Sequence, residues 1–166
     1  MPNSLSPKIL LLRSIYVIVL LVAVVAICLM LAGRIAITLT PSLKYTFFYL
    51  DDASTDMVRP GAYVLFKMDN VITRKLKINR VIKEVACAPG EHLSVVEKRY
   101  YCNESYLGRA KEISLVKGIS AANFVFNGII PDGSLFVMGH SEDSYDSRYF
   151  GFIQLKSVEK IAHPLF

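Results

Sequence analysis

A serine hydroxyl attacks a carbonyl only once a base removes its proton. Ser42, which follows the conformationally restricted Pro41, is a candidate for such a nucleophile. Lys83 is a candidate base, because its neighbours Ile82, Val85 and Cys87 are apolar. Desolvation disfavours an ammonium and lowers a lysine pKa, by several units when burial is complete. A neutral amine near pH 7 can then accept a proton. On strand periodicity alone, Lys83 reads instead as a solvent-exposed lysine, and nothing in the pattern brings it to Ser42. The segment from Phe136 to Gly151 reads by itself as a polar loop between strands. Asp146 and Arg148 are spaced to form an ion pair that fixes it, and Ser144 could hydrogen-bond and aim the lysine amine. A Ser-His-Asp arrangement using His92 or His140 with Asp146 is the competing chemistry.

These residues need elements to position them. From Ser14 to Gly33 there is no charged side chain. About 20 such residues in a helix span a hydrocarbon core of about 30 Å. The apolar core of a cleaved leader is shorter, roughly 7–15 residues. The reading is therefore a cytoplasmic tail over 1–13, a transmembrane signal anchor over 14–33 and an extracytoplasmic domain over 34–166. Lys8 and Arg13 precede the run while Arg34 and Lys44 follow it, so the charge bias favours a cytoplasmic N-terminus weakly.

Beyond the anchor the pattern changes to short alternating runs, the signature of antiparallel strands. Strands are expected at Ala62–Met68, Asn79–Cys87, His92–Glu97, Tyr100–Asn103, Ser134–Gly139 and Phe152–Ile161. Pro60-Gly61, Pro89-Gly90 and Pro131-Asp132-Gly133 mark turns. Gly108 to Ser120 reads as a loop with a short helix. The fold class is mainly β: one small antiparallel, partly closed β-barrel-like domain with one N-terminal transmembrane helix.

The net charge of +5 does not point to nucleic acid. Lys8, Arg13 and Arg34 flank the anchor, and the other 16 basic residues face 14 acidic ones. Arg74, Lys75, Lys77, Arg80 and Lys83 lack interleaved aromatic residues and read as a solvated strand face. Cys28 lies in the anchor. Cys87 and Cys102 flank a hairpin and either pair in an oxidising compartment or remain two thiols. The three histidines are scattered, so no metal site is expected.

Three segments, taken in order, resemble the signal peptidase I family. They are Thr40 to Thr46 around Ser42, Asn79 to Glu91 with Lys83 six residues before Pro89-Gly90, and Gly139 through Asp146-Ser147-Arg148-Tyr149-Phe150-Gly151. The resemblance implies that Ser42 is the nucleophile and Lys83 the general base. It further implies that Thr40 helps the Ser42 backbone N–H form an oxyanion hole, that Ser144 orients the lysine, and that Asp146 and Arg148 are a supporting ion pair. Leu43 and Tyr45 stand where the family has Met and Pro, Glu91 where it has Asp, and His140-Ser141 where it has Asp-Asn. Only 48 residues separate Gly90 from Gly139, too few for the extra β domain of the large bacterial members. The compact body is therefore most like the short TraF-type peptidases.

The resemblance implies a membrane-anchored serine endopeptidase without a cofactor, held in the bacterial inner membrane with its catalytic domain outside. Its partners would be an extended precursor protein, a conjugative prepilin above all, together with membrane lipid and other conjugation or secretion components. The alternatives are a general signal peptidase and an inactive membrane-anchored assembly factor.

Overall fold

The computed structural model describes residues 7–38, 40–111, 114–116, 119–120 and 122–166, with the side chains of 55, 114–116 and 119–120 outside the description. Of the expected tail over 1–13, residues 1–6 lie outside the described residues. The chain divides into two compact units, Met1–Ile35 and Ala36–Phe166.

The first unit carries helix α1 (Pro7–Ala32). Proline suits the first helical position, since its ring fixes φ and its missing N–H would have had no intrahelical acceptor. The helix takes in Lys8 and Arg13, starting before the uncharged run. None of its residues is buried, and it is long and apolar enough to cross a membrane. That is consistent with a single-pass anchor.

The second unit is mainly β. Its strands are β1 (Ile35–Ile37, which straddles the boundary), β2 (Phe47–Asp52), β3 (Tyr63–Lys67), β4 (Arg80–Cys87), β5 (His92–Val96), β6 (Arg99–Cys102), β7 (Ser105–Arg109), β8 (Ser114–Val116), β9 (Ile119–Ser120), β10 (Gly128–Ile129), β11 (Ser134–Met138), β12 (Ile153–Gln154) and β13 (Val158–Pro164). Two short helices, α2 (Val71–Leu76) and α3 (Ser147–Phe150), complete it. A seven-stranded sheet runs β1-β2-β13-β3-β4-β11-β12, and a four-stranded sheet runs β10-β5-β6-β7. Both are built from antiparallel pairs, and neither closes into a barrel.

The last expected strand is two strands. β12 pairs with β11 at one edge, whereas β13 lies between β2 and β3, so the chain breaks at a 3-10 turn over Leu155–Ser157. The stretch from Gly108 to Ser120 holds strand residues and no helix among its described residues. The basic stretch is not one strand face: Arg74 and Lys75 lie on α2, and Lys77 is its left-handed C-cap. Asn70 caps α2 at the other end, its side-chain oxygen accepting from Thr73 N at 2.9 Å. That bond satisfies one of the N–H groups a helix start leaves unpaired.

Strands β4 and β11 are covered on both faces. Leu135 and Val137 of β11 join Val64, Phe66 and Val85 in one cluster, while Phe136 and Met138 join Tyr100, Leu93 and Cys87 in another. All five residues of β11 are buried. Two-sided burial replaces alternation with a continuous apolar run.

A disulfide joins Cys87, at the end of β4, to Cys102 on β6, with Cα atoms 5.8 Å apart. Glu91 closes the Pro89-Gly90 turn alongside, its carboxylate accepting from Ala88 N at 2.7 Å and Asn103 Nδ2 at 3.1 Å. A cross-link closing a loop of about 15 residues stabilises a fold by roughly 3 kcal/mol. Cys87→Ala with Cys102→Ala should therefore lower the thermal midpoint by several degrees. Scanning calorimetry under non-reducing conditions checks this, and an unchanged midpoint would contradict it.

Candidate active site

Lys83 lies opposite Val64 across the β3–β4 ladder, in the middle of the seven-stranded sheet. It is 3% exposed, and Ile82 beside it is buried too. The exposed lysine expected from periodicity is thus absent, because both faces of β4 are covered here. Its amine donates to Ser144 Oγ at 2.7 Å. Burial pushes Lys83 down from 10.5 to about 8, opposed by the Asp146 carboxylate and helped by the Arg148 guanidinium.

Ser144 belongs to the loop from Gly139 to Asp146, which a buried ion pair shapes. Arg148 donates through Nε to Asp146 Oδ1 at 2.8 Å and through Nη2 to Oδ2 at 2.7 Å. This two-pronged geometry is the strong form of the contact. The remaining guanidinium hydrogens reach the Arg109 carbonyl at 2.8 Å and the Ser141 carbonyl at 3.0 Å. Asp146 also accepts from Gly139 N at 2.9 Å and caps α3 through Arg148 N at 3.2 Å. The pair thus ties the loop's backbone at Gly139 and Ser141 to β7 at Arg109 and to the start of α3.

Ser42 sits in a tight turn, with its N–H on the Thr40 carbonyl at 2.7 Å. Its hydroxyl is 3.3 Å from Thr40 Oγ1. Its carbonyl accepts from His140 N at 2.8 Å and Ser141 N at 3.3 Å, which fastens the serine turn to the loop that holds the lysine. Gly139 makes this approach possible. A Cβ there would lie 2.6 Å from the Ser42 oxygen and 2.8 Å from Ser144 Cβ, with Ser144 Oγ closer still. Sequence reasoning took Gly139 as the start of a motif and missed its steric role, for which a glycine directly after an apolar strand is the signal.

Thr40, Ser42, Lys83 and Ser144 line one cavity of about 720 Å³, whose other walls are largely apolar and include Leu65, Ile72 and Leu76. Among the described residues, the hydrogen bond of Lys83 goes to Ser144 and not to Ser42. The Ser42 N–H expected at the oxyanion faces the Thr40 carbonyl instead. Among the described residues the histidines form no triad with Asp146: the His140 ring meets Glu84 at 3.0 Å, Asp146 is engaged by Arg148, and His92 lies on β5 of the other sheet.

A buried amine beside an accessible hydroxyl in an apolar cleft suits acyl transfer. A sequence model of the family described as signal peptidase, peptidase S26, matches residues 9–164. The chain belongs to that family. As an S26 peptidase it is also similar to the conjugal transfer protein TraF of Agrobacterium fabrum, 29% identical over 86 residues covering 52% of this chain and 48% of that protein. The conjugal transfer protein TraF of Agrobacterium tumefaciens is 30% identical over 90 residues, with the same shares. The chain spans about half the length of these curated relatives. A crystal structure of a signal peptidase I from Enterococcus faecalis is similar at 22% identity over 67% of this chain and 98% of that one, with a TM-score of 0.39.

Two predictions follow from this packing. Gly139→Ala must push the Ser42 turn off the loop, and overpacking of this kind costs about 1–3 kcal/mol. The variant should lose both thermal stability and peptidase activity, as denaturation and cleavage assays would report; wild-type values for both would contradict the packing. Lys83→Met should do the opposite to stability. Below about pH 8 the wild-type amine is protonated in both folded and unfolded chains, and folding bears the whole cost of a poorly solvated ammonium. Between about 8 and 10.5 the unfolded chain holds a proton the folded one has released, so wild-type stability rises with pH. The methionine variant should gain up to roughly 3 kcal/mol at pH 7, a gain that fades towards pH 10.5 in chemical denaturation series.

Proposed function

We propose that this chain is a membrane-anchored serine endopeptidase in which Ser42 is the nucleophile and Lys83 the general base. The observation that carries the reading is the buried Lys83 amine, held by Ser144 in the cavity that Ser42 also lines. In the proposed reaction the Ser42 hydroxyl turns from Thr40 to the neutral amine and gives up its proton. The oxygen attacks the substrate carbonyl, and the Thr40 hydroxyl donates to the developing oxyanion. A donor already aimed at that charge is worth about 3 kcal/mol in comparable hydrolases. Collapse of the intermediate breaks the peptide C–N bond, and the ammonium of Lys83 protonates the leaving amine. Water then enters, gives a proton to Lys83 and attacks the acyl carbonyl; the ester bond to Ser42 breaks, the ammonium of Lys83 returns its proton to the Ser42 oxygen, and the acyl group leaves as a carboxylic acid. An amine entering in place of water would join two peptide ends.

The substrate is proposed to be an exported precursor in extended form, a conjugative pilin precursor first. The similarity to two conjugal transfer proteins supports this choice. The helix over Pro7–Ala32 and the basic Lys8 and Arg13 support an inner-membrane anchor within the tail 1–13, span 14–33 and exported domain 34–166. Lipid is then the helix's partner, and other conjugation components are the domain's.

Co-expression with a pilin precursor or with a secretory preprotein tests the whole reading. Ser42→Ala and Lys83→Ala should each abolish processing, whereas His140→Ala keeps measurable activity. The rate should rise with pH through a midpoint near 8, as Lys83 loses its proton. Full processing by Lys83→Ala, or a midpoint near 10, would remove Lys83 as the base. Cleavage of the preprotein alone would make the chain a general signal peptidase, and cleavage of neither would favour an inactive assembly factor.

A further inference from the structure

Consecutive strand residues point to opposite faces of a sheet. Lys83 reaches Ser144 from one face of β4, and its neighbour Glu84 engages the same loop from the other. Glu84 Oε2 lies 3.0 Å from His140 Nε2, and the backbone N–H of His140 holds the Ser42 carbonyl at 2.8 Å. Tyr63, opposite Glu84 in the ladder, stacks on the imidazole with ring centroids 6.2 Å apart and planes 29° apart. Burial raises the Tyr63 pKa, and the nearby Glu84 carboxylate raises it further.

The imidazole is 44% exposed, so the contact with Glu84 is not explained as a response to burial. Its geometric consequence lies along the backbone. A carboxylate that accepts from Nε2–H fixes the ring, the stacked tyrosine fixes its plane, and the ring fixes the peptide whose N–H grips Ser42. Gly139, immediately before, lacks a side chain that could do so. We propose that Glu84 and His140 are positioning residues, forming a brace that sets the distance between the Ser42 hydroxyl and the Lys83 amine. Neither touches the substrate or moves a proton. The brace rests on the dyad reading above, since it acts through both dyad members. β4 thereby holds one loop at two points, through the amine side at Ser144 and through the carboxylate side at His140.

A misplacement of about 1 Å at a reacting centre lowers the rate by up to about a hundredfold. The test uses the full-length chain in detergent with a purified precursor that the wild type cleaves. Glu84→Ala and His140→Ala should each lower kcat about tenfold or more, leaving KM within about twofold and the midpoint of the pH–rate profile unmoved. Glu84→Gln should recover most of the rate, because its side-chain oxygen also accepts from Nε2–H. The Glu84→Ala/His140→Ala double variant should be no slower than the worse single one, as expected for residues in one chain of contacts. Unchanged kcat in the single variants, no recovery in Glu84→Gln, or multiplying effects in the double variant would each overturn the brace. Ser42→Ala and Lys83→Ala run beside them separate the two readings. If those two remain active, the dyad is wrong; if they are dead while Glu84→Ala is at full rate, only the brace is.

Discussion

An amine taken out of water is the constraint around which this domain is arranged. Lys83 is 3% exposed on a strand flanked by β3 and β11, and among the described residues no carboxylate is hydrogen-bonded to it. A buried ammonium without a direct counter-ion is costly, and proteins commonly escape the cost by neutralising the group. The fold opposes that escape only in part, since burial still pushes the Lys83 pKa down to about 8. Asp146, whose carboxylate favours the ammonium, is already bound by Arg148, so it offsets only part of the desolvation. Ser144 gives the amine a hydrogen-bond partner that holds it in either protonation state.

The Asp146–Arg148 pair matters for the same reason. A buried ion pair is a doubtful source of stability, since desolvation consumes much of its Coulomb energy. Here its value is geometric. Two side chains tie Gly139 N, Arg109 O, Ser141 O and Arg148 N into one network, and that network sets the path of the loop carrying Ser144. Tyr100 reinforces it from the second sheet, its hydroxyl within 3.0 Å of the Arg148 carbonyl. Among the described residues, no buried side-chain nitrogen or oxygen lacks a partner. A network satisfied throughout is rigid, whereas a half-satisfied one is not.

Much of this was legible in the sequence, and the parts that were not share a cause. Strands with one covered face, such as β5 and β6, emerged from alternation within a residue or two of their observed ends. The uncharged run pointed to the apolar helix. Lys83 was misjudged on pattern alone because alternation carries no information where both faces are covered. β2 escaped because its six residues FFYLDD show no period of two, and α2 because a six-residue helix is too short for a helical one. At the site, residue types could nominate Ser42, Lys83, Ser144, Asp146 and Arg148, and the pairings of Ser144 with Lys83 and of Asp146 with Arg148, but not the contacts of Ser42. The Ser42 carbonyl anchor and the close approach at Gly139 are backbone events, which side-chain patterns do not encode.

The backbone anchor also bears on how the site tolerates change around it. Leu43 and Tyr45 stand where the family pattern has other residues, yet neither supplies the contact that fastens the serine turn. That contact runs from the Ser42 carbonyl to the N–H groups of His140 and Ser141. Main-chain groups are present whatever side chains flank them, provided the residue between them and the strand stays small enough for the turn to approach. Substitutions at 43, 45 and 141 therefore leave the fastening available, while residue 139 is held to glycine by the space that Ser42 and Ser144 occupy. The domain thus separates two demands of the proposed reaction: side chains at Lys83 and Ser144 serve the chemistry, and peptide groups, one of them braced through His140, set where the hydroxyl stands relative to them.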